Sequence, residues 1–425
     1  MADVIVIGAR VAGSATAMLL ARRGLKVIAV DQAAFPSDTL STHQVQVPGV
    51  ARLRRWGLLD GLRASGTPGA HTARFEAGGF VLQGAFPNHE GADAVYSPRR
   101  TLLDARLVHA ARAAGVEVRE KYVAEELVFD SDRVVGVRGR TKGGPSSTEL
   151  ATIVVGADGK HSMVAKSVHA PITYERPALT AGAYAYWEGA PLTGGELYTL
   201  PGCSVGAWPT NDGHVLTFVS WPRARFAEVR SNLEASLLRA LDSAGDLGKR
   251  VRSSRRVEHV RATIDTPNRI RRPHGAGWAL IGDAGMVVDP ITGQGISDAF
   301  MQAELMADAI TNGLDGRARL DDALAFYEAE RDRRLRPMFD FTVDLARHKP
   351  LSIESRMLFA ALQGRPAEIE RFLGVITGSV PMEDYFAPAS LMKVMGPRRM
   401  LRILASRLVT NRARREAAAV DRAMA

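Results

Sequence analysis

Residues 1–31 read MADVIVIGARVAGSATAMLLARRGLKVIAVD, and this stretch decides the fold. Val4–Ile7 is a short apolar run that reads as a buried strand. A glycine turn follows, with Gly8 and then Gly13. Ser14–Arg23 is rich in Ala, Leu and Met, which predicts a helix packed on a sheet, and Gly24 stops it. Val27–Val30 is a second apolar strand with Asp31 at its end. Strand, glycine turn, helix, strand and acid stand in the order and spacing of a dinucleotide-binding unit. The helix N-terminus offers free N–H groups and a positive dipole end to a pyrophosphate. Gly8 permits the tight turn, Gly13 lets the helix lie close to the strands, and Asp31 can accept from a ribose diol. Arg10 stands where the middle glycine of G-x-G-x-x-G would be, and is itself a candidate to touch the pyrophosphate. Val11 and Ala12 at the helix start and Gln32 after the acid complete this candidate set.

The rest of the chain bounds the reading. Its 425 residues suit two or three domains with ample core. No apolar run reaches the roughly 18 residues of a membrane-spanning helix. The sequence opens on its first strand, so no signal peptide is expected. Cys203 is the only cysteine, which excludes intramolecular disulfides, C-x-x-C redox chemistry and cysteine-ligated iron–sulfur clusters, and fits a cytoplasmic protein. No metal site is expected. The net charge of +9 is spread along the chain without a nucleic-acid motif, so it points to a basic surface with an anionic cofactor rather than to nucleic acid.

Beyond residue 31 the pattern alternates between elements. Phe35–Gly49 is a polar loop, Ala51–Leu62 a helix interrupted by Gly57, and Thr72–Phe86 alternates as strands do. Ser97–Gly115 predicts a strong helix, Val123–Val128 and Arg133–Arg138 a hairpin, and Val154–Gly159 a buried strand entering a glycine turn. From about Tyr174 to Val260, β-branched and aromatic alternation around Asn211-Asp212-Gly213 predicts an antiparallel sheet. Gly277–Asp283 returns as a buried strand, and everything after Gly295 reads as helix.

Two further motifs narrow the reading. One is Gly156-Ala157-Asp158-Gly159 with Ser162; the other is Gly282-Asp283-Ala284-Gly285 followed by Asp289-Pro290 and Gly293-Gln294-Gly295. With Gly8, Gly13, Asp31 and the Arg100-x-x-Leu-Asp104 pattern, residues 1 to about 345 resemble the flavoprotein aromatic hydroxylase superfamily. That superfamily has the p-hydroxybenzoate hydroxylase fold and includes geranylgeranyl reductases and flavin halogenases. The resemblance implies an α/β fold: a Rossmann-like FAD-binding domain, an inserted antiparallel-sheet substrate domain and a helical C-terminal region. The expected boundaries are 1–75, 97–173 and 261–345 for the FAD domain, 76–96 and 174–260 for the sheet domain, and 346–425 for the helical region. It also implies non-covalent FAD. Gly8, Gly13 and Asp31 would hold the ADP half. Arg100 would reach the diphosphate or ring, and Asp158 would serve both FAD and NAD(P)H. Gly282 and Asp283 would meet the ribityl chain, and Pro290 the isoalloxazine. Gly293, Gln294, Gly295 and Ile296 would form a helix N-terminus beneath the pyrimidine side of the ring.

The implied activity is that of an NAD(P)H-consuming monooxygenase. NAD(P)H would bind transiently, O₂ would form a flavin C4a-hydroperoxide, and an aromatic or polyketide-like small molecule would be hydroxylated or epoxidised. Gly285-Met286 departs from the Ala-His that many hydroxylases carry and looks like the reductase and halogenase branches. The halogenase W-x-W-x-I-P motif is absent, since Glu188-Gly189 follows Trp187. The alternatives kept open are a reductase of isoprenoid double bonds and a non-catalytic binding protein of the same fold. His43, in the loop after the ribose acid, is a candidate for cofactor contact or acid/base work, because imidazole titrates near neutrality. Tyr184, Tyr186, Trp208 and Trp221 are candidate substrate contacts, with Tyr184 and Tyr186 sharing one face by alternation. Met400–Arg415 reads as a basic amphipathic helix, expected to pack on its own protein rather than on a membrane surface.

Overall fold

The computed structural model describes residues 1–41 and 43–401. Ala2–Ile7 is a strand, Val11–Ala21 a helix and Val27–Val30 the next strand. The helix starts at Val11 rather than Ser14 because the chain turns directly out of Gly8, whose φ is +99°. Gly13 packs so tightly on that turn that a Cβ there would lie 1.7 Å from the Gly8 carbonyl oxygen.

Around this unit a sheet assembles in the order Glu117–Arg119, Val27–Val30, Ala2–Ile7, Ser146–Gly156, Trp278–Leu280, all parallel, with His274–Gly275 antiparallel at the edge. Alternation sorts its side chains into two cores. Val4, Val6, Val27, Ala29, Ile153 and Val155 face the helices Val11–Ala21, Arg100–Ala113 and Gly295–Leu314. Ile5, Ile7, Ile28, Val30 and Val154 face Tyr122, Leu127 and Val137 of the hairpin. That hairpin, Tyr122–Asp130 with Arg133–Thr141, falls where the sequence predicts it and continues onto Ser146–Leu150.

A second sheet runs Arg255–Arg256, Thr180–Glu188, His214–Pro222, Cys203–Pro209, Gly195–Leu200, Thr72–Ala77, Phe80–Ala85. The sheet is antiparallel as expected except at one pairing, where Gly195–Thr199 runs parallel with Ala73–Ala77. The hairpin Thr72–Ala85 arrives from an earlier part of the chain, and it joins this sheet from Thr72 onward. Residues 226–252 also differ from the sheet expectation. They form the helices Phe226–Ser231, Leu233–Asp242 and Leu247–Arg252. Leu237 and Leu241, one helical turn apart, bury against Val205, Val219 and Trp221 on the sheet's outer face.

The C-terminal part is helical: Leu320–Leu345, Ile353–Leu362, Pro366–Thr377, Met382–Phe386 and residues 388–401. The expected basic helix Met400–Arg415 lies outside the described residues apart from its start. Among the described residues no helix is long and apolar enough to cross a membrane.

Candidate active site

The candidate residues converge where the C-terminal ends of the first sheet's strands meet the inner face of the second sheet. Two helices end there without side-chain caps. Val11–Ala21 is preceded by Arg10, and Gly295–Leu314 by Gln294, whose amide donates instead to the Ile376 carbonyl at 2.8 Å. First-turn N–H groups of an uncapped helix are open to an anion. Gly295 is exposed, and a Cβ added to it would meet nothing within 4 Å, so the backbone at this helix start borders open space. Gly293 just before it is left-handed, with φ +63°, and Ile296 is buried beneath.

Asp31 sits at the strand end as expected. It accepts from the Ala9 and Ala33 backbone N–H groups, each at 2.8 Å, through different oxygens. A carboxylate has about four lone-pair sites, so both oxygens keep capacity for a ribose diol. Gln32 beside it is exposed. Arg10 does not lean over the helix start. Its guanidinium bonds Asp104 at 2.6 Å, reaches the Ser37 hydroxyl at 3.1 Å and lies over Phe35. Arg100 opens its own helix and holds the same Asp104 through two bonds of 3.0 Å. Asp104 is wholly buried between the two guanidiniums.

Asp283 is open to solvent at its side chain yet hemmed in by protein, as a group on the floor of a cleft is. That enclosure pushes its carboxyl above the usual range, with Lys160 and Arg100 opposing. Gly282, which precedes it, is buried and donates its N–H to Gln302. Asp158 accepts from the Met163 and Val164 N–H groups at 2.6 and 3.3 Å, so it braces the start of the short helix Met163–Ser167, while its Oδ1 is buried without a partner. Pro290 starts a 3-10 turn, and Asp289 before it is buried and pushed up to about 6 by that burial.

His43 is fully buried with φ +65°, a strained conformation for a non-glycine residue. Its Nε2 and the Tyr186 hydroxyl share a 2.7 Å hydrogen bond, its ring lies edge-on to Tyr184 and Tyr186, and its Nδ1 has no partner. Burial first, then Arg100 and Arg99, lower its pKa to about 3. At neutral pH the imidazole is therefore uncharged. The acid/base role expected from its ordinary pKa gives way to a hydrogen-bonding one.

Strand register separates the four aromatic candidates. Tyr184, Tyr186 and Trp208 share the inner face with Phe218 and Leu216, their cross-strand partners. Trp221 is on the opposite face, packed in the outer core with Leu237 and Val251. Its assignment to the substrate is corrected: Trp221 and Phe218 are an odd number of residues apart, so they point to opposite sides of the sheet. The sequence reading missed Arg99 and Glu258. Arg99 lies 3.9 Å over the Tyr186 ring and pairs with Glu258, while Arg261 pairs with Asp38 at 3.1 Å. Arg99 directly precedes Arg100, which was the only available signal. Hydrogen bonds tie the inner face to the rest of the chain at either end, Tyr186 to His43 at one and the Thr180 hydroxyl to Asp289 at the other, 2.5 Å apart.

These residues fit FAD. Uncapped helix starts suit its diphosphate and the electron-rich side of its ring. An enclosed Asp283 that has no hydrogen-bond partner among the described residues suits ribityl hydroxyls. A flavoprotein oxidoreductase is the class that fold and site define. The FAD binding domain family matches over residues 1–342, and the chain belongs to that family, with FAD as its cofactor. Among its relatives is the digeranylgeranylglycerophospholipid reductase of Methanosarcina mazei, 28% identical, covering 72% of this chain and 74% of the relative. The structure is similar to that of the myxobacterial chondrochloren halogenase, at 23% identity and TM-score 0.74, covering 94% of each chain. It is also similar to PqsL of Pseudomonas aeruginosa in complex with 2-aminobenzoylacetate, at 23% identity and TM-score 0.69, covering 87% of this chain and 98% of that one.

Proposed function

We propose that this chain is an NAD(P)H-consuming monooxygenase that hydroxylates or epoxidises an aromatic or polyketide-like small molecule. The observation that carries this reading is the inner face of the second sheet. It presents Tyr184 and Tyr186 toward the cofactor loop, with the Tyr184 hydroxyl and His43 Nδ1 buried and unpartnered. An isoprenoid chain has no polar group to satisfy them, and leaving such groups unpaired costs about 1–3 kcal/mol each. An aromatic alcohol or ketone does satisfy them.

Bound FAD supplies the redox chemistry, accepting hydride from NAD(P)H and activating O₂. The residues of the chain do the rest. Asp31 holds the ribose, Asp283 the ribityl chain, and the N–H groups of Val11–Gly13 the diphosphate. The helix start at Gly295 stabilises negative charge on the pyrimidine side of the ring. Arg100, fixed by Asp104, adds positive charge near Asp283. Neutral His43 orients the Tyr186 phenol, and the Arg99–Glu258 and Arg261–Asp38 pairs close the side of the site against water.

The methanogen relative's name supports a second reading, reduction of isoprenoid double bonds. One experiment separates the two: O₂ uptake and product mass with an accepted substrate and NAD(P)H. A mass gain of one oxygen with matching O₂ uptake is the expected result. Anaerobic turnover that adds two hydrogens overturns the monooxygenase and leaves the FAD assignments standing.

A further inference from the structure

The inner face of the second sheet holds more unpaired polarity than Tyr184 alone. Three cross-strand rows lie on it side by side. The row nearest the Thr180–Asp289 tie is Gly182, Ser220 and Ser204. The next is Tyr184, Phe218 and Gly206, and the third is Tyr186, Leu216 and Trp208. The Ser220 and Ser204 hydroxyls, the Tyr184 hydroxyl and the Trp208 indole N–H are all buried, and none has a hydrogen-bond partner among the described residues. Trp208, Ser220 and Tyr184 are at most 4% exposed. Native proteins leave few such groups unsatisfied, so a run of them on one face calls for a ligand.

The face also has room. Gly206 leaves the backbone bare between these side chains, and a Cβ on it would meet nothing nearer than 3.6 Å, with the Trp208 indole nitrogen 3.7 Å away, whereas the Phe218 ring lies over Gly182. Ser204, Phe218 and Leu197, which all lie on this side, are only half-buried. Burial pushes the Tyr184 phenol up to about 12, so it stays a donor. The indole N–H can only donate. The nearby cations, meanwhile, each have a carboxylate partner, Arg99 in Glu258 and Arg261 in Asp38 and Glu258, with the Arg99 Nε–H left unpaired.

We propose that Trp208, Tyr184, Ser204 and Ser220 form a subsite for a flat, neutral substrate carrying at least two oxygen acceptors, one met by Trp208 and Tyr184 and the other by the Ser204–Ser220 row. The proposal rests on the reading above that this face holds the substrate. It goes further by fixing the substrate's charge and polarity: an oxygen-rich ring system such as a phenol or aryl ketone, and neither a carboxylate nor a hydrocarbon. A carboxylate would find no guanidinium here that lacks a carboxylate partner already, with only the Arg99 Nε–H open to it, and a hydrocarbon would leave the donors unpaired.

The test measures binding of dihydroxynaphthalene, naphthalene and naphthoate to the oxidised holoenzyme by anaerobic calorimetry, with no NAD(P)H present. Dihydroxynaphthalene should bind at least about tenfold tighter than either of the others. Trp208→Phe, and separately Ser204→Ala with Ser220→Ala, should each weaken dihydroxynaphthalene about fivefold and leave naphthalene unchanged. The unchanged naphthalene value, with FAD still bound, separates lost recognition from lost folding. Equal affinity for the three probes, preference for naphthoate, an equal loss for naphthalene in the variants, or no binding by any probe would each overturn the proposal. Because no turnover is involved, the ranking is read whether product analysis reports oxygenation or reduction.

Discussion

At the scale of single residues, Asp31 and Asp283 divide the work of the two carboxylates differently. Asp31 already holds two backbone N–H groups of its own loops, whereas Asp283 makes no hydrogen bond among the described residues. Asp283→Ala should therefore weaken FAD by about 1–3 kcal/mol and leave the melting temperature of the FAD-free protein unchanged. Asp31→Ala should weaken FAD and also lower that temperature. Flavin titration and thermal unfolding of both apo variants check this, and equal thermal behaviour would show that the Asp31 loop bonds carry no stability. His43 gives a pH prediction. Its pKa falls from 6.5 in the unfolded chain to about 3 in the folded protein, so between those values the unfolded state binds more protons. Stability is then fully present above pH 6.5 and falls as pH drops toward 3, by up to about 1.4 kcal/mol per unit. Urea unfolding at several pH values in this window should give a shallower slope for His43→Gln than for the native chain. An identical slope would mean that other groups account for the acid sensitivity.

At the scale of elements, the helix Gly295–Leu314 carries the most direct test. Nothing in the protein occupies the space beside Gly295, and its φ is not in the left-handed range, so glycine is not needed for folding. Gly295→Ala should keep or slightly raise apo stability, by up to about 1 kcal/mol, while weakening flavin binding by crowding the ring. Unfolding curves and flavin titration measure the two effects separately. If flavin affinity is unchanged, this helix start does not approach the ring. The same element shows what the sequence could reveal. Gly293-Gln294-Gly295 and Gly282-Asp283 are local motifs, and local motifs survive in a string of letters. The Phe218–Tyr184 face, the Trp221 misassignment and the Arg99–Glu258 pair depend on strand register between distant segments, which alternation alone does not fix. The helices of residues 226–252 had a local signal in Leu233, Leu237 and Leu241, but the strong strands before them masked it. The start of the helix at Val11 was hidden for a third reason: Val11 has weak helix propensity, Arg10 before it offers no capping side chain, and packing on Gly8 decides.

At the scale of the whole molecule, the second sheet meets the rest of the chain at several points, among them Thr180–Asp289 and Tyr186–His43 at the two ends of its inner face. Filling the cleft with FAD should stabilise both sides of that junction. Limited proteolysis should therefore cut the FAD-free protein faster than the holoprotein, with the excess cleavage in 35–41 and 257–260, the loops beside the cleft. Equal cutting patterns would mean that the junction holds without the cofactor. The parallel pairing of Ala73–Ala77 with Gly195–Thr199 has a further consequence, for the order in which the chain can fold as it is made. The hairpin Thr72–Ala85 emerges from the ribosome long before the strand that covers its open edge. During that interval its edge has no partner, and exposed edges recruit other chains. Synthesis paused before residue 195 should thus yield nascent chains that engage chaperones, while chains released past residue 222 have the whole row of strands to close against.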